Sequence, residues 1–216
     1  MPALLFAVYA QINVNRSFGK YSRVESSTGL TGALAAQKVL EYYAIHDVHI
    51  EHIKGKLTDH YDPRDNTIRL STDVFSSTSV AAIGVACHEV GHAIQHHENY
   101  FPIKIRNAII PVCNIGSNFG IPIALIGLFF NMNNLITFGL MLYSLIVVFQ
   151  FITLPVEFNA SARAIKVINE KGMLDGQELS GVRRMLTATA VTYVAALVTS
   201  LANLLRLILL FNRRNN

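Results

Sequence analysis

The spacing of apolar and polar residues divides this chain into stretches of different kinds. Residues 1–14, MPALLFAVYAQINV, are almost wholly apolar as far as Gln11, too short a run to cross about 30 Å of hydrocarbon by itself. Gln11 and Asn13 stand where a signal peptide needs small residues, so the stretch reads as the end of a first, partial membrane helix. From 26 to 71 the pattern changes to that of a small soluble unit. Thr31 is placed to cap a helix running through Tyr43, with Leu34, Ala35, Val39 and Tyr42 or Tyr43 on one buried stripe. Val48-His49-Ile50-Glu51 alternates as a strand does. Residues 57–61 and 67–71 flank Asp62-Pro63-Arg64-Asp65-Asn66, a turn sequence, and predict a β-hairpin.

Residues 79–97 form a small-residue apolar helix in prospect, preceded by the candidate caps Ser76, Ser77, Thr78 and Ser79. Two apolar runs follow, 109–130 and 135–156, joined by Asn131-Met132-Asn133-Asn134. Each is long enough to span a bilayer, and the short polar link makes them an antiparallel pair. A globular helical core is the competing reading, which two tandem uncharged runs of this length oppose. A helix carrying Glu157 is expected to end at Lys171-Gly172, Asp175 and Glu178 are spaced as a capping box, and 187–211 is a last apolar stretch in which Arg206 can snorkel.

Composition sharpens this picture. Hydrophobic residues make up 51% of the chain and charged ones only 15%, with a mean hydropathy of +0.36, values of a membrane protein. No Lys, Arg, Asp or Glu occurs in 109–156, whereas ten Lys or Arg lie in 13–108 and five in 157–186. Arg16, Lys20 and Arg23 open the first of these groups. By the positive-inside rule both basic segments face the cytoplasm, which predicts a multi-pass protein of the cell membrane with its polar part on that side. Arg213 and Arg214 then fall outside unless the last helix is re-entrant or interfacial. Two cysteines, Cys87 and Cys113, make no disulfide framework and fit a reducing compartment. The pI of about 9.1 raises nucleic acid as a partner, but the basic residues are accounted for as membrane flanks and no basic patch interleaved with aromatics is visible.

The chemistry concentrates at His88-Glu89-Val90-Gly91-His92. On a helix of 3.6 residues per turn the imidazoles of His88 and His92 share a face and converge on one point, which suits a zinc ion. Glu89, one residue round, can reach a water at that point without ligating the metal, as a general base must. The alternative, a core helix with two incidental histidines, leaves a glutamate unexplained on an otherwise apolar helix. His96 is one turn too far: three ligands at four-residue steps span about 12 Å of axis, too long for one ion with ~2.1 Å bonds. It is expected near the site at the helix end. A third ligand must come from elsewhere, and Glu157 is the one acidic residue between Glu98 and Glu170, at the end of a span, where an ionisable group is a functional candidate. An interfacial carboxylate is the bland alternative. His60 or Tyr61 can stabilise an oxyanion, though strand alternation allows only one of them to face the metal. The hairpin's outer strand either pairs with an extended peptide or merely covers the helix.

HEVGH followed some 65 residues later by EFNAS resembles the gluzincin-type membrane peptidases, among them the CAAX prenyl protease and heat-shock membrane protease families. Residues 57–63 (LTDHYDP), 88–97 and 154–161 together resemble more closely the bacterial putative neutral zinc metallopeptidases, a YugP-like membrane protease family. The resemblance implies His88, His92 and Glu157 as ligands of one Zn2+ and Glu89 as catalytic base. Ser161 stands where the broader families place an aspartate that orients a metal-binding histidine; a serine can accept from an imidazole N–H but carries no charge.

Together these readings predict a mainly α, integral membrane protein: a zincin-like metal helix, a small β-hairpin or sheet, and about three to four transmembrane helices. The expected division is a partial first span at 1–14, a zinc peptidase domain at 15–108, a transmembrane hairpin at 109–156, the third-ligand helix and a connecting helix at 157–186, and a last span at 187–216. The function expected is that of a membrane-embedded zinc endopeptidase acting on a protein or peptide substrate in a lipid bilayer, with a membrane-protein partner or a second copy of the chain as further candidates. A non-catalytic zinc-binding membrane scaffold, or a degenerate protease that binds membrane clients, is the alternative.

Overall fold

The computed structural model describes residues 2–215, with the side chains of Arg213, Arg214 and Asn215 outside what is described. Among these residues the chain runs α1 (Pro2–Tyr21), α2 (Gly32–Tyr42), β1 (His49–Ile53), β2 (His60–Asp62), β3 (Thr67–Ser71), α3 (Thr72–Phe75), α4 (Val80–His97), α5 (Phe101–Phe129), α6 (Asn133–Glu170) and α7 (Gly176–Asn215). The protein is therefore mainly α with one small sheet. It divides into two compact units: one holds Ala10–Tyr100 and Val156–Val191, the other the residues up to Tyr9, Phe101–Pro155 and those from Thr192 on.

In the first of these units, local signals in the sequence set the elements. Thr31 Oγ1 accepts from the Leu34 N–H at 3.2 Å, a cap contributing about 1 kcal/mol, and α2 buries Ala35, Ala36, Val39 and Leu40. The hairpin forms between β2 and β3, and β1 adds in parallel on the far side of β3, giving the order β1-β3-β2. Asn66, at φ 52°, closes the turn. The hairpin's first strand starts at His60 rather than Leu57, because Leu57 has φ 55° and a residue in that region cannot continue an extended strand. Central strand β3 is buried except at Arg69, and its Ile68 and Leu70 are fully enclosed in the core that also holds Val39, Ile83, Val90 and Ile168.

Helices α5, α6 and α7 are each long and apolar enough to cross a membrane. The stretches read separately as a span at 135–156 and a ligand-bearing helix are one continuous helix, α6. Pro155 removes the bond to the Phe151 carbonyl but has a φ suited to a helix, and the helix passes through it. Likewise α7 carries the expected connecting and last helices as one. Its capping box is reciprocal: the Glu178 N–H donates to Asp175 Oδ1 and the Asp175 N–H to Glu178 Oε2, at 2.8 and 2.7 Å. Gly172, at φ 56°, terminates α6. Cys87 and Cys113 are both free thiols and both buried.

Candidate metal centre

Helix α4 starts where Ser79 Oγ accepts from the Ala82 N–H at 3.2 Å, and fifteen of its eighteen residues are buried. Its small residues let neighbours come close. A Cβ on Gly91 would lie 2.7 Å from the carbonyl oxygen of Ala160, so the glycine inside the HEVGH sequence is what allows α6 to lie directly against α4. Glu157 stands one helical turn before Ala160, and this contact brings it to the two histidines.

The His88 and His92 rings lie 4.8 Å apart and nearly perpendicular. Their Nε2 atoms are 3.4 and 3.6 Å from Glu157 Oε2. The three residues are buried, and their ligand atoms all fall within 4.8 Å of one another. Two donors each ~2.1 Å from the centre of a tetrahedron are about 3.4 Å apart, so the spacing found is that of zinc ligands. Two imidazole nitrogens and one carboxylate oxygen are also a donor set that zinc takes while keeping a fourth position for water or substrate. On spacing, burial and donor type the three residues fit the ion.

Each imidazole is held from behind. Ser161 Oγ is 3.2 Å from His88 Nδ1, and Gln95 Oε1 is 3.0 Å from His92 Nδ1, both inside the protein. Ser161 thus stands behind His88 with a hydroxyl that carries no charge. Glu89 is buried too, at 8% exposure. Burial pushes its carboxyl up to about 7, the His88 ring opposes that rise, and the Glu157 charge adds to it.

The remaining candidates separate. His60 is exposed on β2 with Nδ1 2.8 Å from the Thr58 carbonyl, which can only accept, so Nδ1 carries the proton. The charges of Asp59 and His60 both act on the Glu89 carboxyl. Tyr61 points elsewhere: its hydroxyl donates to Asn66 Oδ1 at 3.0 Å and lies 3.1 Å from His96 Nδ1. The structure thus brings His88, Glu89, His92, Glu157 and Ser161 together, with His60 within electrostatic reach of Glu89. Tyr61 and His96 pair with each other apart from the three-residue donor group.

Sequence reading passed over Gln95, Asn159 and Asp59. Gln95 is fully buried, and its Nε2 donates to the Val156 carbonyl at 2.8 Å and to Asn159 Oδ1 at 2.9 Å. The signal that could have found it is its place three residues after His92, on the face of an apolar helix where an uncompensated amide is costly. Asp59 accepts from the Ser71 N–H and Ser71 Oγ at 2.7 and 3.0 Å and ties the start of β2 to the end of β3.

Comparison with known proteins bears on the whole chain. Residues 1–212 match a family described as "Putative neutral zinc metallopeptidase". A curated relative from Bacillus subtilis (strain 168), described as "Putative membrane protease YugP", is 46% identical over 209 residues, covering 97% of this chain and 93% of that protein. No solved structure matches. With a match across almost its entire length, this chain belongs to the family of putative neutral zinc metallopeptidases.

Proposed function

We propose that this protein is a membrane-embedded endopeptidase that holds one zinc ion through His88, His92 and Glu157 and uses Glu89 as general base. The observation that carries the reading is the buried group of two Nε2 atoms at 3.4 and 3.6 Å from one carboxylate oxygen, with a second buried carboxyl at the very next residue to His88. Bound there, zinc acts as a Lewis acid that makes water acidic enough to lose a proton at about pH 7 and polarises a peptide carbonyl. Glu89 takes the proton of the attacking water on a carboxylate oxygen and returns it to the nitrogen of the leaving amine. Ser161 and Gln95 hold the histidine rings, and His60, at the edge of the sheet with its Nδ1 turned to the Thr58 carbonyl, is the candidate to meet the oxyanion.

The proposed setting is the cell membrane, crossed several times, with the zinc site on the cytoplasmic side as the lysine and arginine distribution indicates. The division into a peptidase part at 15–108 completed by 157–186, with apolar helices in 109–156 and 187–216, belongs to the same reading. Substrates are proteins or peptides, and a membrane-protein partner or a second copy of the chain is part of the proposal. Glu89→Gln tests it: the purified variant is expected to keep one zinc per chain and to lose hydrolysis of an unstructured protein in detergent by at least about a hundredfold, the scale of a general base. Undiminished turnover in that variant refutes the assignment of Glu89. Zinc in the wild type without any hydrolysis favours the scaffold instead.

A further inference from the structure

We propose that Gln95 is a positioning residue for the metal centre, fixing His92 as the tautomer with its proton on Nδ1 so that Nε2 presents its lone pair to the ion. The inference rests on the zinc reading above and concerns a residue to which that reading gives no chemical step.

The argument follows the direction of each hydrogen bond. An amide side chain can be turned either way, so Gln95 alone does not decide which ring nitrogen of His92 carries hydrogen. Its neighbours decide. The Val156 carbonyl, 2.8 Å from the Gln95 amide, can only accept. The Arg163 guanidinium, whose Nε is 2.7 Å from the Asn159 side chain, can only donate, so the Asn159 atom facing it is Oδ1. That same oxygen lies 2.9 Å from the Gln95 amide. Gln95 therefore meets two acceptors on one side, and the atom it turns to them must be Nε2. Its Oε1 is left facing His92 Nδ1 at 3.0 Å, and an oxygen there obliges Nδ1 to be the donor.

Arg163 is anchored in turn by Glu98 at 2.7 Å. The chain from Glu98 through Arg163, Asn159 and Gln95 to His92 thus has one sense throughout, set at one end by a guanidinium and in the middle by a backbone carbonyl. His88 has no such constraint: Ser161 Oγ can donate or accept, so the hydroxyl supports the ring without dictating its tautomer. The two histidines are held unequally, and His92 is the one delivered ready to bind.

The test compares full-length wild type with Gln95→Met, which fills the same space without an acceptor. Zinc affinity of the metal-free proteins is measured by chelator competition, and the His92 tautomer by ring nitrogen NMR shifts. Expected is a ten- to a hundredfold weaker zinc affinity, the usual cost of losing a group that orients a ligand, together with loss of the Nδ1–H signature at His92. Asn159→Ala, at a half-buried position, releases only one of the two oxygens facing the amide and is expected to weaken zinc several-fold. If Gln95→Met does not fold, Gln95→Leu, which also lacks an acceptor, takes its place, with the same loss of zinc affinity expected. Equal zinc affinity across the folded variants, with the Nδ1–H form retained, overturns the inference alone. Failure of the wild type to bind zinc overturns the metal reading and this inference with it.

Discussion

Helices α4 and α5 are both apolar, yet they bury opposite things. In α4 fifteen of eighteen residues are enclosed, His88, Glu89 and His92 included, and the enclosure is made by protein. In α5 only Ile103, Cys113, Ala124 and three glycines are buried among twenty-nine, while Phe119, Leu125 and Phe129 stand more than half exposed. A similar composition therefore serves two solvents. One helix turns small residues to its neighbours so that polar groups can be gathered in the interior; the other keeps large residues on its surface, the pattern of a helix suited to lipid. The lesson is that apolar content alone does not place a helix. What distinguishes the two is where the ionisable residues are, inside α4 and absent from 109–156.

The sharpest way to break this contrast is at Gly91. Its missing side chain is the reason α4 can lie against the backbone of Ala160, and Gly91→Val puts carbon where that carbonyl already is. Overpacking a rigid backbone contact is expected to cost about 3 kcal/mol or more and to move Glu157 from the histidines, abolishing zinc binding. Metal content and the thermal unfolding midpoint of the purified variant check this. Full zinc occupancy would show that the close approach is not needed.

On the other helix the expected effect is next in size. Phe119→Lys places a charge on the exposed face of α5 near its middle, which costs about 2.5 kcal/mol if that face meets hydrocarbon. If the face met water the same change would stay within about 0.5 kcal/mol. The fraction of chains integrated into membranes, read against wild type at equal expression, distinguishes the two. Unchanged integration would remove the reason for treating the exposed phenylalanines as lipid-facing.

Much of this contrast is written locally in the chain, and what is not written there depends on distant partners. Thr31 and the Asp175–Glu178 pair announce their helix starts because capping involves residues three apart. The turn at 62–66 announces its hairpin for the same reason. The uncharged length of 109–156 announces long apolar helices. By contrast, the parallel pairing of β1 with β3 joins residues eighteen apart with another strand between them, and nothing in either strand names its partner. Residues 156 and 157 gave no sign that α6 continues unbroken through Pro155, because a proline is compatible with either a break or a passage. At the site, the HEVGH spacing and the isolation of Glu157 were legible from residue type. Gln95 and Asn159 were not, since an amide carries no charge and its role follows only from the carbonyl and guanidinium that face it.

The smallest expected effect lies at the sheet and asks how dry the polar interior of the metal-bearing unit is. Burial raises the Asp59 carboxyl above its ordinary 3.8, more than its hydrogen bonds from the Ser71 N–H and hydroxyl lower it. A carboxyl raised in the folded state binds its proton more tightly there than in the unfolded chain. Its contribution to stability is thus complete below 3.8 and is lost as pH rises through the folded value. Asp59→Asn has no proton to lose, so the gap between variant and wild-type unfolding midpoints should move in the variant's favour as pH rises from about 4 toward neutrality, which circular dichroism of the metal-free proteins can follow. A constant gap would mean that Asp59 is hydrated and that enclosure by protein, unlike enclosure by lipid, still admits water to this edge. A gap moving the other way would mean that the two Ser71 bonds outweigh burial, and that β2 is fixed to β3 by a stabilised charge.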